Sequence, residues 1–428
     1  MKMIQSQKDN QHNYSIIKTT CIVVFIILLF FSSSVNAQNL VDYVNPLTGT
    51  AASTTASAQS VKGEQYGNTI PAVCVPFGMM QWTPQTRATE QKCQPPYYFQ
   101  DKYFSGFRGT HWLSGSCTQD YGSVTIMPVS GHLKTNISEY QCGLDHNRET
   151  ATPYYYSVQL PRYNLFAEVT ATARCGIMKF SSDKSDSLYL LVVPNSDKNK
   201  GFIKIDRAHH EIVGYNPAYR IYQGWGQPAG FSGYFVVQFQ SAFTNADTFN
   251  DSLIFSIDSI KDQKDIGAYA GFKIKKGKLL IVKIGTSFSS IEEARKNLTA
   301  EIPGWDFDAI KNKAKNSWEN NLEKIQLSTN SEKDKRIFYT ALYHTMQQPR
   351  LFNDADGTYP KFSQQYQLGK LKSGNYYDDF SMWDIYRAEI PLYEILSPAL
   401  VNDWVSSIIL KGQEGGWLPI FPCWNNYT

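Results

Sequence analysis

The hydrophobic period of this chain changes once, and that change sets what it can fold into. From about residue 40 to 287, apolar residues come in short alternating runs broken by Gly, Pro, Asn and Asp. Examples are YYYSVQL (154–160), FAEVTATARCGIMKF (166–180), SLYLLVVP (187–194), GYFVVQFQSAF (233–243), SLIFSI (252–257) and KLLIVKIGTSF (278–288). Repeated runs of this length, each bounded by turn residues, predict an antiparallel β-sandwich. Past Ser289 the pattern becomes helical in SIEEARKNLTAEI (290–302), DFDAIKNKAKNSWENNLEKIQL (306–327) and SEKDKRIFYTALYHTMQQP (331–349). Ile310, Ala314, Trp318 and Leu322 lie four apart and make one apolar stripe. Ser331 with Asp334 three positions on is placed to cap the third helix. The two patterns meet near 288–304, so the fold class is mixed β and α, sandwich first and helices after.

Residues 1–37 have the layout of a signal peptide: basic Lys18, the apolar run Cys21–Phe31, and Val35-Asn36-Ala37 as a small-residue cleavage site before Gln38. The run is shorter than the roughly 20 residues a membrane span needs, although an uncleaved anchor is the alternative. No later segment offers another span, so the remainder is expected to be exported, whether periplasmic, cell-surface or secreted. Removing Lys2, Lys8, Lys18 and Asp9 leaves 38 basic and 37 acidic residues, so the formal charge falls from +3 to +1. A near-neutral chain with interspersed signs argues against nucleic acid as a partner. Six cysteines remain, at 74, 93, 117, 142, 175 and 423, without CxxC or zinc-ligand spacing. Mostly free, buried thiols are expected, with room for one disulfide.

Aromatic residues make up 14% of the chain, 27 of them tyrosine. Flat rings with polar tips suit sugar recognition, because they stack on C–H faces and bond hydroxyls; sandwich cores favour the same residues. In GNTIPAVCVPFGMMQWTPQTR (67–87), Trp82 and Arg87 are candidate ligand-facing groups, with core packing the alternative for the tryptophan. In YFSGFRGTHWLSGSC (103–117), small residues surround His111, which could donate to a hydroxyl or be a satisfied histidine in a tight turn. In FSMWDIYRAEIPLYEIL (380–396), Asp384 and Arg387 share one helical face beside Trp383, and Pro391 imposes a break or kink. The pair could hold neighbouring sugar hydroxyls or form an i, i+3 salt bridge. GQEGGWLP (412–419) sets Trp417 on a glycine-flanked turn, and NDADGTYP (353–360) reads as a turn, since it lacks the last glutamate of a calcium loop.

Taken together, NPLTGT, GNTIPAVCVPFGMMQWTPQTR, GFRGTHWLSGSC, ETATPYYYSVQL, FYTALYHTMQQPRLF, DDFSMWDIYRAEIPL and GGWLPIFPCWNN resemble, in this order, the motifs of family 92 glycoside hydrolases. The resemblance implies a β-sandwich domain over 38–288, a helical linker over 289–330, and the first helices of an (α/α)6 barrel over 331–428, an incomplete barrel. It further implies an exo-acting, inverting, calcium-dependent α-mannosidase that releases terminal mannose from glycans. Carried over by motif, Trp82, His111, Trp383, Asp384, Arg387 and Trp417 are expected to line the mannose pocket, with Asp384 a direct ligand of sugar hydroxyls. Inverting hydrolysis needs an acid and a base carboxyl about 6.5–9.5 Å apart. The candidates are Asp378, Asp379, Asp384, Glu389 and Glu414, and the resemblance assigns none of them, because family members are longer and draw acid, base and calcium ligands from later segments. The chain of 428 residues is accordingly expected to lack those groups and to be inactive by itself, and a non-catalytic carbohydrate-binding module or an inactive truncated remnant is the alternative expectation.

Overall fold

The computed structural model describes residues 39–59, 67–87, 93–184, 186–220 and 226–428; the expected signal peptide lies outside them. Two antiparallel sheets form the sandwich. One has seven strands, in the order Gln81–Gln85, Gly106–Thr110, Val124–Ser130, Asp186–Val193, Ile266–Ile274, Asn245–Asn250 and Leu253–Phe255. The other has nine, in the order Ser259–Lys261, Phe202–Asp206, Glu211–Tyr219, Pro228–Phe239, Leu279–Ser287, Cys175–Ser182, Leu165–Ala171, Tyr155–Leu160 and Glu149–Thr152. The long run 166–180 is thus two strands paired with each other. SLIFSI is an edge hairpin strand with its apolar side chains exposed.

Helices follow the last sandwich strand. Helix α1 is Ile291–Glu301, α2 Phe307–Leu322 and α3 Glu332–His344, each begun by a side-chain cap from Ser290, Asp306 and Ser331. Such a cap satisfies one of the orphan N–H groups of the first turn. Helices α1 and α2 lie on the outer face of the nine-stranded sheet, which explains why its central strands are apolar on both sides. Met178 and Phe180 enter the sandwich core with Val282 and Ile284. Cys175, Ile177 and Ile281 point the other way, onto Leu298, Phe307 and Ile310. Gly285 lets α1 approach closely, for a Cβ there would stand 2.7 Å from the Leu298 Cβ. Lys283, on the same outer face, donates its ammonium to Ile302 O at 3.0 Å and lies 4.3 Å from the Trp305 ring centroid. A cation at the carbonyl end of a helix is favoured by its dipole.

A second core joins the sandwich to the remaining helices: α4 Met382–Ile385, α5 Glu389–Leu396 and α6 Pro398–Gly415. Trp112, Tyr121, Phe231 and Phe288 from the sandwich side pack with Phe352, Tyr376, Trp404 and Trp424. The predicted stripe of α2 is buried, and the Trp318 indole N–H donates to Cys74 O at 2.7 Å. Pro391 sits in the first turn of α5, where its missing N–H breaks no helical bond. The chain break falls before it, between α4 and α5. Residues 353–357 turn into the strand Thr358–Pro360, with Gly357 N–H donating to Asp354 O. Cys93 and Cys117 form a disulfide, while Cys74, Cys142, Cys175 and Cys423 are free and buried. Among the described residues no helix is long and apolar enough to cross a membrane.

Trp82 belongs to the sandwich core, fully buried opposite Gly176. A Cβ at 176 would lie 2.5 Å from Trp82 Cε2. Gly176→Ala is therefore expected to destabilise the protein by about 1–3 kcal/mol in urea denaturation, the usual range for overpacking. The smaller ring of Trp82→Phe should recover part of that loss in the double variant.

Candidate functional site

The two short strands Arg350–Leu351 and Tyr377–Asp378 pair antiparallel beneath the second core. Asp379 follows in the left-handed region at φ 62°, which aspartate tolerates better than most residues. The turn sends two adjacent carboxylates to two different cations. Asp378 lies 2.8 Å from the Lys411 ammonium of α6 and accepts from Asn425 N–H at 2.6 Å. Asp379 lies 2.5 Å from Arg350 Nε and accepts from the Tyr121 hydroxyl at 2.8 Å and Trp424 N–H at 3.3 Å. Lys411 also donates to the Tyr376 hydroxyl at 2.7 Å, and Arg350 to Trp112 O at 3.0 Å. All four charged side chains are fully buried. Burial pushes Asp378 up to about 6, against the pull of Lys411, and the same burial pushes Lys411 down. Burial first, then the nearby Asp379, holds Tyr121 well above the phenol range, so it remains a donor.

The sandwich side of this network is equally closed. Asp120 accepts from Arg108 Nε at 2.7 Å, Thr110 Oγ1 at 2.8 Å and the N–H of His111 at 2.9 Å. His111 Nδ1 donates to Tyr121 O at 2.8 Å. Burial, then the Arg350 charge, pushes the His111 imidazole down to about 3. It is neutral, and its Nε2 carries no proton. The expectation that His111 donates to a sugar hydroxyl is corrected on that ground, since its one proton is committed to Tyr121. Trp82 needs the same correction, because its indole is enclosed in the sandwich and presents no surface to a ligand. Arg87, too, is occupied, with its fork on Asp101 at 2.5 and 2.7 Å and its guanidinium 4.4 Å from the Tyr98 ring centroid.

The other expected residues stand at the surface. Trp383 is 68% exposed and Trp417 73%. Asp384 and Arg387 are exposed as well. The ion pair that was the alternative reading of their spacing does not form. Asp384 accepts from Ser381 Oγ at 2.5 Å, while Arg387 Nε reaches the Tyr386 hydroxyl at 2.5 Å with its guanidinium 5.2 Å from that ring. The structure therefore gathers Trp383, Asp384 and Arg387 on α4 and the turn after it. Trp417 stands apart from them on the turn after α6, and its carbonyl accepts from the Tyr427 hydroxyl at 2.8 Å.

Of the remaining carboxylates, Glu414 is structural: it accepts from the Tyr359 hydroxyl and Phe362 N–H, both at 2.7 Å. Glu389, in the first turn of α5, is half-buried, and burial pushes it up to about 8. Among the described residues no group of three or more His, Cys, Asp or Glu is arranged to hold a metal ion. The calcium implied by the sequence resemblance has no fitting ligand set among them.

The sequence reading missed Arg350 and Lys411. Lys411 carried a usable signal, since it continues the buried stripe Val401, Trp404, Ser407 of α6, and a lysine on an apolar stripe demands an anion. Arg350 is flanked by Pro349, Leu351 and Phe352, an apolar setting that made the same demand.

Comparison with known proteins places the chain. Residues 43–287 match the glycosyl hydrolase family 92 N-terminal domain, and residues 293–428 the glycosyl hydrolase family 92 catalytic domain. A family 92 inverting mannosidase from Bacteroides thetaiotaomicron superposes with a TM-score of 0.78 at 30% identity, over 90% of this chain and 50% of its own. A family 92 α-mannosidase of the same organism, solved with mannoimidazole, gives 0.79 at 27% identity, over 91% and 51%. The chain thus spans about half the length of these structures, over their β-sandwich and the start of the α/α barrel. Over 72 residues, 16% of this chain and 9% of the relative, it is 35% identical to an uncharacterized secreted glycosidase of Arthroderma benhamiae.

Two measurements test the electrostatics. Lys411→Met or Asp378→Asn, each made singly, strands a buried partner and should cost about 3–5 kcal/mol in chemical denaturation, with the double variant losing less than the sum. Glu389 binds its proton more tightly when folded, so its contribution is full below about 4.5, the ordinary glutamate value, and is lost as pH rises through about 8. Against Glu389→Gln, the parent's stability should fall by on the order of 1 kcal/mol per pH unit across that window.

Proposed function

This chain belongs to glycosyl hydrolase family 92, and from that membership we propose that its Trp383–Arg387 face holds the terminal mannose of an α-linked glycan for an exported, inverting exo-mannosidase. The observation that carries the reading is the contrast within one short segment. Asp378 and Asp379 are sealed in ion pairs, whereas Trp383, Asp384 and Arg387, a few residues later, stand exposed. An exposed indole can stack on the C–H face of a pyranose. The Asp384 carboxylate accepts from two neighbouring hydroxyls, and the Arg387 guanidinium donates to others. Trp417 supplies a second aromatic surface within the same reading. Mannosidases among the superposable structures, one of them in complex with mannoimidazole, support mannose as the sugar.

In this reading these residues hold the sugar and do not break its bond. Inversion needs one carboxyl that protonates the leaving oxygen and another that activates water. Asp378 and Asp379 are closed to water, and Glu414 braces backbone and tyrosine. Asp384 is taken up with hydroxyl groups. Glu389 has the proton of an acid near neutral pH but no partner base in view. The described residues do not form a calcium site. Export is supported by the signal-like residues 1–37 and by the local likeness to a secreted glycosidase.

The chain of residues 1–428, titrated with methyl α-mannoside, is expected to bind. Asp384→Ala and Trp417→Ala should each weaken binding about tenfold, the scale of a charge-assisted hydrogen bond or a buried ring face, with melting temperature unchanged. With an aryl α-mannoside and calcium it is expected to show no turnover; turnover would overturn the assignment of these carboxylates. Mannose affinity indifferent to both substitutions would overturn the assignment of the face.

A further inference from the structure

A cleft on the sandwich, away from the Asp378–Asp379 network, has the make-up of a ligand site that the proposed function does not use. Its volume is about 530 Å³, inside the range of about 300–1,000 Å³ common for small-molecule pockets. It opens between the strands Val124–Ser130 and Asp186–Val193, the turn at 195–199, the short helix Ile137–Tyr140 and the turns at 251 and 264–265. Tyr140, Val193 and Phe249 give it an apolar floor.

The polar groups above that floor divide into two sets. The charged groups lie close to balance, Lys198 and Lys264 against Asp197, Asp251 and Asp265, and several are engaged within the protein: Lys264 lies 3.5 Å from Asp265, Asp251 accepts from Asn136, and Lys198 donates to Gly226 O with its ammonium 4.5 Å from the Tyr219 ring centroid. A charged ligand gains little from such a surface. The neutral groups are the ones left open. Thr135 is only 6% exposed and Ser196 7%, yet neither hydroxyl has a hydrogen-bond partner among the described residues, and neither oxygen is sealed from solvent. The exposed Asn199 side-chain amide, at φ 58°, is likewise uncommitted among the described residues. Bonded to nothing in the protein and open to the cleft, both hydroxyls are available to a ligand that takes the place of solvent there.

We infer that this cleft is a second carbohydrate site, taking one or two neutral pyranose units whose hydroxyls pair with Thr135, Ser196 and Asn199 while a C–H face rests on the apolar floor. The hydroxylated, uncharged class of ligand follows from the lining residues; the choice of mannose as the sugar rests on the proposed function. The site tethers glycan and takes no part in bond cleavage.

The test uses the chain of residues 1–428 and an α-linked mannobiose, read by ligand-observed saturation-transfer NMR and calorimetric titration. In Asp384→Ala, which disables the exposed helical face, residual binding should persist. Adding Thr135→Val, which exchanges a hydroxyl for a methyl, should weaken it at least fivefold. Adding instead Asn199→Gly, which keeps the left-handed backbone while removing the amide, should do the same, and melting temperatures check that both variants fold. Residual binding indifferent to both cleft substitutions, or no residual binding in Asp384→Ala, overturns the inference. Binding unchanged by Asp384→Ala but abolished by the cleft substitutions upholds it and instead overturns the assignment of the 383–387 face.

Discussion

Two adjacent aspartates cannot be buried together as anions unless each has its own cation. Asp378 and Asp379 meet that constraint by drawing Lys411 from α6 and Arg350 from a neighbouring strand into the same dry volume. Removing four charges from water is expensive, and it is tolerated only where geometry and further hydrogen bonds are good. Those further bonds come from distant parts of the chain: the Tyr121 hydroxyl on the sandwich and the N–H groups of Trp424 and Asn425 at the other end. The second core is therefore organised around a polar knot, and aromatic side chains from both layers close over it.

That knot also decides what the neighbouring residues can do. Carboxylates that are fully buried against their own cations are out of reach of a substrate in solution. A few residues beyond Asp378 the chain reaches the surface, where Trp383, Asp384, Tyr386 and Arg387 are exposed while Ile385 stays in the core. The position of Trp383, Asp384 and Arg387 relative to the sandwich is thus fixed by buried charges they never touch.

Much of this architecture was legible in the sequence, because hydrophobic period is a local property. The change from alternation to a four-residue stripe placed strands and helices, and Ser331 and the Ile310–Leu322 stripe behave as the pattern implied. Side-chain fate was less legible, since it depends on what lies across the core. Trp82 and Trp383 look equally suited to a sugar in sequence, but one faces Gly176 inside the sandwich and the other faces water. His111 looks like a donor until the carbonyl of Tyr121 claims its proton. Asp384 and Arg387 have the spacing of a salt bridge, yet Ser381 and Tyr386 compete more closely for each. One long β run concealed a turn because Thr172-Ala173-Arg174 lacks glycine and proline.

The short helical turn Leu40–Tyr43 shows how far this fold reaches along its own chain. The N–H groups of Leu40 and Val41 donate to the two carboxylate oxygens of Glu319, 279 and 278 residues away. A ribosome adding about 5–20 residues per second takes roughly 14–56 s to cover that distance. Through that interval the N–H groups of Leu40 and Val41 lack this acceptor, and they gain it only when helix α2 has been made and has packed against them. The turn Leu40–Tyr43 is made early and fastened late, so early synthesis leaves an open seam that only later synthesis closes.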